Sequence, residues 1–376
     1  MTEKHVNPEH FSFEFGVLDK NSSEFSSVRS FSDKFNRKNS ITFEPPFFEW
    51  QYEQPQTLFH TNDSGFYFCK NRLGEIIGYC SASHAPYLWE GEELSGRFFH
   101  EWYGDPTQSG STVALLARQL ELSPIVQVMG ASAQNLTILF RMRPYLWFPL
   151  KRLCAVLDPQ KVSLLLENKG TNSHSLLAAL QFKTTVPHQY FGKQIPTFDD
   201  DYQEIWKRTS RSFAATVNKS SSYMNWRYVD HPIFSYHRHV YHIPGANRVY
   251  IVWRSEYVRE KDTTVARVCE IIGSVTDLFQ TIPHFIKDLI DSGIAFADFF
   301  CTNHPINNAL IASGFFEVIP LEELDIPRLF SPLQNDFRKT LHSAISVSAN
   351  HLSSKTRNIS EFYFTKGDTN QDMPNR

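Results

Sequence analysis

The chain lacks long hydrophobic runs and any large excess of charge of one sign. No uninterrupted apolar run approaches the ~20 residues that a membrane-spanning helix needs, and no apolar secretory segment follows the charged N-terminus. The 37 basic and 40 acidic residues give a formal net charge of −3, without the basic stripe that binds a nucleic-acid backbone. These absences predict a soluble cytoplasmic protein that binds neither membranes nor nucleic acid.

Cysteine is also scarce, and its positions are far apart. The five cysteines are Cys69, Cys80, Cys154, Cys269 and Cys301. A disulfide framework or a zinc site requires closer, paired spacing, so we expect buried free thiols. His237 and His239 would share one face of a strand, but no nearby carboxylate completes a set of ligands, and we predict no metal.

What the sequence does contain is enough chain for two domains. Its 376 residues exceed one ordinary domain and suit two of about 150–200 residues each. The 32 Phe and 15 Tyr favour strands and an aromatic core. Residues 1–40 are rich in Ser and Asn and poor in aliphatic residues, so we predict a frayed arm or a loosely packed helix there.

An internal repeat organises the rest of the chain. Trp50 and Tyr52 recur 176 positions later as Trp226 and Tyr228, and Glu101 recurs 169 positions later as Glu270. After each aromatic pair the pattern predicts a β-hairpin, a long strand, a helix, a strand and a helix. In the first copy these are 65–70 with 76–80, 97–103, 110–121, 125–129 and 132–141, and in the second 235–242 with 248–254, 265–272, 277–291, 295–300 and 305–313.

Five elements in one order, at nearly constant offsets, indicate a duplication. The order predicts an α/β fold in which each copy has a mixed sheet with helices on its faces. The predicted divisions are an arm over 1–40, a first domain over 41–157, a connection over 158–197 and a second domain over 198–376. The second domain is predicted to open with a helix over 198–217 and to carry an additional C-terminal strand.

The order of elements resembles the GNAT superfamily, and the duplication resembles a tandem GNAT. Residues 223–228 (YMNWRY) with His231-Pro232, and the closing passages 362–368 (FYFTKGD) and 371–375, resemble bacterial acyltransferases of surface-polysaccharide pathways. Within that group the chain resembles N-acyltransferases that modify the amino group of a dTDP-linked 3-amino-3,6-dideoxyhexose, as in O-antigen and lipopolysaccharide biosynthesis. The resemblance covers roughly residues 45–376 and implies acyl-CoA, in particular 3-hydroxybutanoyl-CoA, as the donor.

GNAT enzymes hold the coenzyme A pyrophosphate on an Arg/Gln-x-x-Gly-x-Gly/Ala loop that opens a helix. Unpaired backbone N–H groups and the positive helix end attract phosphate there. The first copy matches at Gly110, with Thr107 and Thr112 where the family has Arg or Gln and Gly or Ala. In the second copy Asp277 and Phe279 would repel and crowd a pyrophosphate. The predicted coenzyme A contacts are Gln108, Ser109, Gly110, Ser111, Thr112 and Asn135.

Acyl transfer to an amine requires a neutral amine, a polarised carbonyl and a stabilised thiolate. The resemblance implies that a backbone N–H of the strand at 97–104 polarises the carbonyl. Glu101 on that strand is the candidate general base, with two alternatives: a structural carboxylate, or no protein base because positioning suffices. Because neighbouring strand residues alternate, we predict that His100 points to the opposite face.

A nucleotide-sugar acceptor requires cations for its phosphates and an aromatic surface for its base. The predicted substrate-binding residues are Tyr223, Asn225, Trp226, Arg227, Tyr228, Lys366 and Asp368. Core packing is the alternative for the repeated aromatic pair. Arg227 is replaced by Gln51 in the first copy, so the fold alone does not require a cation there.

Two other functions stay open at this stage. One is a FemAB-like aminoacyl transferase of peptidoglycan synthesis, which also has two GNAT-like halves but would bind a charged tRNA. The near-neutral charge of the chain disfavours it. The other is a degenerate, non-catalytic tandem GNAT that serves as a scaffold.

Overall fold

The computed structural model describes most of the chain and divides it into two compact units. The described residues are 13–35, 40–108, 110–130, 133–166, 173–183, 186, 190–318, 326–330, 333–334, 341–348 and 358–369. The first unit comprises Met1–Phe148, His231–Ile233 and His342–Thr356, and the second comprises Pro149–Asp230, Phe234–Leu341 and Arg357–Arg376.

Helices and strands alternate along much of the described chain. The helices are α1 (Phe25–Phe35), α2 (Pro45–Phe48), α3 (Gln54–Leu58), α4 (Ser111–Glu121), α5 (Ala133–Met142), α6 (Pro159–Leu165), α7 (Ser173–Ala179), α8 (Asp200–Ser210), α9 (Ser221–Tyr228), α10 (Val275–Asp291) and α11 (His304–Ala312). The strands are β1 (Glu14–Val17), β2 (Phe66–Lys70), β3 (Ile76–Trp89), β4 (Glu92–Gly104), β5 (Ile125–Met129), β6 (Leu146–Pro149), β7 (Lys151–Val156), β8 (Lys193–Gln194), β9 (Ala215–Val217), β10 (His237–Tyr241), β11 (Val249–Val258), β12 (Thr263–Ile272), β13 (Phe296–Cys301), β14 (Phe316–Glu317), β15 (Leu329–Phe330), β16 (Leu333–Gln334), β17 (His342–Val347) and β18 (Phe362–Tyr363).

The sheet of the first unit has the order β1-β2-β3-β4-β5-β17-β6. Strands β2, β3 and β4 are antiparallel, β4 and β5 are parallel, and β17 is antiparallel to β5. Successive residues of a strand point to opposite faces. Tyr67 therefore packs in one core with Leu115 of α4, whereas Phe66 packs in the other with Val28 of α1.

The sheet of the second unit has the order β14-β7-β13-β12-β11-β10-β8. Its antiparallel hairpin β10–β11, the antiparallel pair β11–β12 and the parallel pair β12–β13 match the first copy. From the long strand to one edge, the first sheet has the order β4-β5-β17-β6 and the second has the order β12-β13-β7-β14. Strands β17 and β7 therefore take equivalent places in the two sheets. Strand β7 follows the first copy in sequence yet lies in the sheet of the second unit, and β17 follows the second copy yet lies in the sheet of the first.

The structure confirms the two mixed sheets and both runs of hairpin, strand, helix, strand and helix. All five cysteines are free and buried, as predicted. The predicted helix over 198–217 is wrong beyond Ser210, because Ala215–Val217 forms strand β9 and pairs in parallel with β18. None of the described helices combines the length and the apolar character needed to cross a bilayer.

Residues 13–35 are more closely packed than the sequence suggested, and residues 1–12 and 36–39 of the predicted arm lie outside the described part of the chain. Strand β1 pairs antiparallel with β2, and α1 buries Val28 and Phe31 against the sheet. The few apolar residues of this region are spaced so that one face of α1 is apolar, which composition alone does not reveal.

Candidate acyl-CoA site

Each copy has a β-bulge at the same place in its long strand. In the first copy Ser81 pairs with Glu101 and Ala82 with Phe99, so His100 is an additional residue. In the second copy Val252 pairs with Glu270 and Trp253 with Val268, so Cys269 is additional. A bulge leaves the extra residue out of the ladder and re-aims the strand. A glutamate directly follows the bulge in both copies.

The bulge corrects one prediction about the first copy. The Tyr79 hydroxyl donates a hydrogen bond to Glu101 Oε2 (3.2 Å), and His100 Nε2 lies 2.7 Å from Ser83 Oγ. Tyr79 and Ser83 are four residues apart on β3 and share one face. His100 and Glu101 therefore reach the same face. The predicted opposite orientation was wrong because the additional residue interrupts the alternation.

The bulge also marks the point where the two parallel strands stop pairing. The last parallel pairs are Phe99–Val128 in the first copy and Val268–Phe299 in the second. Beyond this point the first copy is accessible, because residues 101–104 are only half-buried. In the second copy residues 269–272 are fully buried. As far as the described residues show, the gap between the diverging strands is therefore open in the first copy and filled in the second.

Helix α4 begins beside the open gap. Its N-cap is Gly110, whose φ of 91° lies in the left-handed region, and which has no side chain with which to cap the helix. A Cβ on Gly104, at the end of β4, would collide with the hydroxyl oxygens of Ser111 and Thr112. These two hydroxyls therefore lie against the end of the strand, next to the helix N-terminus.

The loop before α4 contains an acidic residue that the sequence reasoning missed. The Asp105 carboxylate accepts hydrogen bonds from the backbone N–H (2.8 Å) and the hydroxyl (2.7 Å) of Thr107. These bonds hold the pKa of Asp105 below its usual value. Gln108 donates its backbone N–H to the Asp105 carbonyl (2.9 Å), Ser109 lies outside the described residues, and Asn135 lies on α5.

The corresponding helix of the second copy is capped by its own side chains. Ser274 Oγ accepts from the Asp277 backbone N–H (3.2 Å) and donates to Asp277 Oδ2 (2.5 Å). The same carboxylate accepts from the backbone N–H of Asn247 (2.9 Å). A cavity of about 300 Å³ borders this helix end, with Arg208 and Arg248 among its lining residues. Asp277 is thus bound to its own helix and to the preceding hairpin turn, and Phe279 is exposed.

Residues 362–368, which we call the closing segment, fill the gap of the second copy. Towards β13, Phe364 accepts a hydrogen bond from Thr302 N–H (3.1 Å), and Thr365 forms a bridge with Cys301. Towards β12, the Tyr363 hydroxyl donates to Ile271 O (2.9 Å) and accepts from Ile271 N–H (3.1 Å). The closing segment therefore contacts both diverging strands.

A buried ionic cluster holds this segment in place. The Lys219 ammonium lies 2.7 Å from Glu270 Oε1 and also pairs with Asp368. Glu270 further accepts hydrogen bonds from the hydroxyls of Tyr228 (2.9 Å) and Thr365 (3.1 Å), and its Oε2 lies 3.1 Å from the Tyr363 hydroxyl oxygen. Burial, together with the Asp368 carboxylate, raises the pKa of Glu270 to about 7, although Lys219 opposes the shift. No motif or repeat partner marks Lys219 in the sequence.

Two of the predicted substrate-binding residues, Arg227 and Tyr228, contact the closing segment, and two others, Lys366 and Asp368, belong to it. Tyr223, Trp226, Arg227, Tyr228, Lys366 and Asp368 are all buried. Arg227 donates to the backbone carbonyls of Gly367 (3.0 Å) and Thr369 (2.8 Å), and Asn225 exchanges hydrogen bonds with the backbone of Phe198. Their sugar-binding role stays a prediction, and residues 371–375 lie outside the described part of the chain.

No protein-family model and no curated protein matches the chain. Solved structures do resemble it, at low sequence identity. N-myristoyltransferase of Saccharomyces cerevisiae with bound myristoyl-CoA has a TM-score of 0.54 at 10% identity, over 89% of this chain and 82% of that one. A GCN5-related N-acetyltransferase from Anabaena variabilis has a TM-score of 0.54 at 10% identity, over 89% and 72%.

A third similar structure is a probable N-acyltransferase from Enterococcus faecalis, with a TM-score of 0.52 at 9% identity over 89% of this chain and 72% of that one. The likeness extends over both units of the chain. It confirms the fold class, two GNAT-like domains in tandem, independently of any likeness in sequence.

Proposed function

We propose that the protein is an acyl-CoA-dependent N-acyltransferase whose donor binds to the first copy. One observation carries the proposal: the strand end after the bulge, next to the uncapped α4, is accessible in the first copy and filled in the second. The acyltransferases with a similar fold, one of them with bound myristoyl-CoA, support the reaction class.

The first copy offers groups suited to each part of the donor. The pyrophosphate would lie at the N-terminus of α4, where backbone N–H groups and the helix dipole favour anions. Gly110 lets the backbone approach closely, and the Ser111 and Thr112 hydroxyls add donors. Because Asp105 is ionised and bonded to Thr107, we expect the phosphates to contact the start of the helix rather than the first residues of the loop.

The chemical step uses the bulge. The acceptor amine attacks the thioester carbonyl carbon, the carbon–sulfur bond breaks, and the coenzyme A thiolate leaves. In this proposal a backbone N–H of β4 donates to the developing oxyanion, an effect typically worth ~10²–10³ in rate. Glu101 takes the proton of the amine, and Tyr79 orients its carboxylate.

For the acceptor we propose the amino group of a dTDP-linked 3-amino-3,6-dideoxyhexose, with 3-hydroxybutanoyl as the acyl group. The resemblance of residues 223–228 and 362–368 to surface-polysaccharide acyltransferases supports this assignment. Such an acceptor is a cytoplasmic precursor of O-antigen, and a cytoplasmic location is part of the proposal.

Coenzyme A binding tests the donor site. Coenzyme A at 100 times its dissociation constant should stabilise the protein by about 2.7 kcal/mol, measured as a thermal shift. Gly110→Glu should abolish the shift, because it places a carboxylate at the helix N-terminus. Gly74→Glu is a matched control, since Gly74 also has a positive φ (80°) but has open space around it in a hairpin turn. Equal shifts for the two variants would refute the site.

The reaction itself is tested with a panel of substrates. The protein is incubated with acetyl-, 3-hydroxybutanoyl- or myristoyl-CoA and several dTDP-amino sugars, and mass spectrometry detects acylated sugar. We expect transfer from 3-hydroxybutanoyl-CoA to a 3-amino sugar. Transfer only to other amines would keep the enzyme class and refute the acceptor, and no transfer despite coenzyme A binding would favour the scaffold alternative.

A further inference from the structure

The closing segment occupies a place in the second copy that corresponds to the open gap of the first. We propose that residues 362–368 are a built-in ligand of the second copy, which fills its gap between diverging strands and limits the chain to one acyl-CoA. The inference rests on the proposed donor site in the first copy.

The position of the segment relative to the bulge supports the proposal. A Cβ on Gly367 would lie 2.8 Å from the carbonyl oxygen of Cys269, the bulge residue. Glycine is therefore required for so close an approach. Thr365 donates to Glu270, the residue after the bulge. The segment thus contacts the two positions whose counterparts, His100 and Glu101, carry the proposed chemistry in the first copy.

The buried charges favour a permanent contact over a transient lid. The side chains of Lys219, Glu270 and Asp368 have no exposed surface. Withdrawing the segment would separate the Asp368 carboxylate from the Lys219 ammonium. The charges that stayed buried would then lack part of their ion pairing, which costs free energy. Arg227 would also lose its two backbone acceptors on Gly367 and Thr369.

Two cysteines beneath the segment report on its position without any activity measurement. Cys269 and Cys301 contact Gly367 and Thr365, whereas Cys154 is buried in another core of the same unit. In native alkylation with N-ethylmaleimide, followed by peptide mass spectrometry, the three should be protected in the wild-type protein. Gly367→Leu should raise the labelling rates of Cys269 and Cys301 at least about tenfold and leave Cys154 protected.

A matched control is Gly192→Leu, in the same unit, where a side chain would collide with Tyr241 instead. It should leave Cys269 and Cys301 protected. If Gly367→Leu also exposes Cys154, the unit has unfolded, and the milder Asp368→Ala is measured in its place. Protection of both reporter cysteines in a folded closing-segment variant, or their labelling in the wild type, would overturn the proposal.

Native mass spectrometry gives the stoichiometry of coenzyme A. We expect one molecule per wild-type chain and none for Gly110→Glu. Two molecules per wild-type chain would overturn the built-in ligand but would leave the proposed function standing. No binding to the wild type would contradict the proposed donor site, and the cysteine labelling would still decide the role of the segment.

Discussion

Two glutamates at equivalent positions show how the surroundings of one residue decide what it can do. Glu101 and Glu270 both follow a bulge and both accept a tyrosine hydroxyl. Glu101 is half-buried at an accessible strand end, whereas Glu270 is buried with Lys219 and Asp368. The proposed catalytic role needs a carboxylate that is accessible, as Glu101 is, whereas Glu270 pairs with Lys219 and bonds residues of the closing segment.

At Glu101 we predict a loss of rate with little loss of donor affinity. Glu101→Gln keeps an acceptor for Tyr79 but cannot take a proton, so kcat should fall by ~10²–10⁴. The dissociation constant for coenzyme A should be unchanged. Steady-state kinetics and calorimetry measure both, with Glu93→Gln, exposed on the same strand, as the control. An unaltered kcat would mean that positioning alone drives transfer.

At Glu270 we predict a pH dependence of stability. Burial raises its pKa to about 7 in the folded state, so between about pH 4.5 and 7 the folded protein holds this proton more tightly than the unfolded chain. The contribution of this group to the free energy of unfolding is therefore greatest at the acidic end and is lost as the pH rises through 7.

Glu270→Gln removes this titration, so the stability of the variant should change less with pH than that of the wild type. Urea unfolding at pH 5 and pH 7.5 measures the difference, with Glu260→Gln, exposed in the same unit, as the control. The same pH dependence in the wild type and in Glu270→Gln would show that another group is responsible.

Several candidate site residues could be proposed from the sequence, but the side chains that contact them could not. Glu101 and Gly110 follow from the repeat and from the resemblance of one loop. The bulge at His100 was missed because an additional residue is visible only when two strands are paired. Lys219 was missed because its partners, Glu270 and Asp368, are 51 and 149 positions away, and no local pattern encodes contacts of that range.

At the scale of elements, the two equivalent helices differ in how their N-termini are satisfied. Ser274 and Asp277 bond each other and close the start of α10. Helix α4 starts at a glycine and has no such pair. The backbone N–H groups of the first helical turn need hydrogen-bond acceptors. In the first copy an anionic ligand can provide such acceptors. The S-x-x-D pattern at 274–277 is the sequence signal of the difference.

Removing the cap of α10 should cost stability without any effect on the donor. We expect Ser274→Ala to lower the free energy of unfolding by about 1 kcal/mol, measured by urea denaturation. Ser292→Ala, at the exposed C-terminal end of the same helix, should cost less. Coenzyme A affinity should be unchanged in both. A clear loss of affinity in Ser274→Ala would place the donor in the second copy.

Elements with strong periodicity were predictable, and those defined by a distant partner were not. Both hairpins and the helices α4 and α10 follow from turns and apolar spacing. Strand β9 was taken for the end of a helix because Ala215–Val217 becomes a strand by pairing with distant parts of the chain, such as β18. The closing segment likewise has no regular pattern, since its position is set by the gap it fills.

At the scale of the whole molecule, the two copies share strands. Strand β17 lies next to β5 in the sheet of the first unit, and β7 lies next to β13 in the sheet of the second. Each sheet is thus completed by a strand that follows the other copy in sequence. A boundary at 157, drawn where the repeat ends, separates β7 from the sheet to which it belongs.

This arrangement predicts how fragments of the chain will behave. Residues 1–157 lack β17, so the edge of β5 would be left unpaired, and the six residues of β7, five of them buried in the intact protein, would have no sheet to join. We expect this fragment to aggregate, and to become soluble only when it is co-expressed with residues 158–376. Size-exclusion chromatography and circular dichroism of the single and paired fragments measure this.

A rearranged fragment provides the control. The backbone N–H of Leu150 donates to Leu341 O (2.8 Å), so the end of β6 and the start of β17 lie within reach of a short turn. Joining residues 341–348 to residue 150 through a few Gly and Asn residues should supply the missing strand within the same chain. We expect this fragment to unfold cooperatively on heating, unlike residues 1–157. If residues 1–157 fold equally well alone, β17 contributes nothing to the stability of the first sheet. Each copy would then be a domain that folds without a strand from the other.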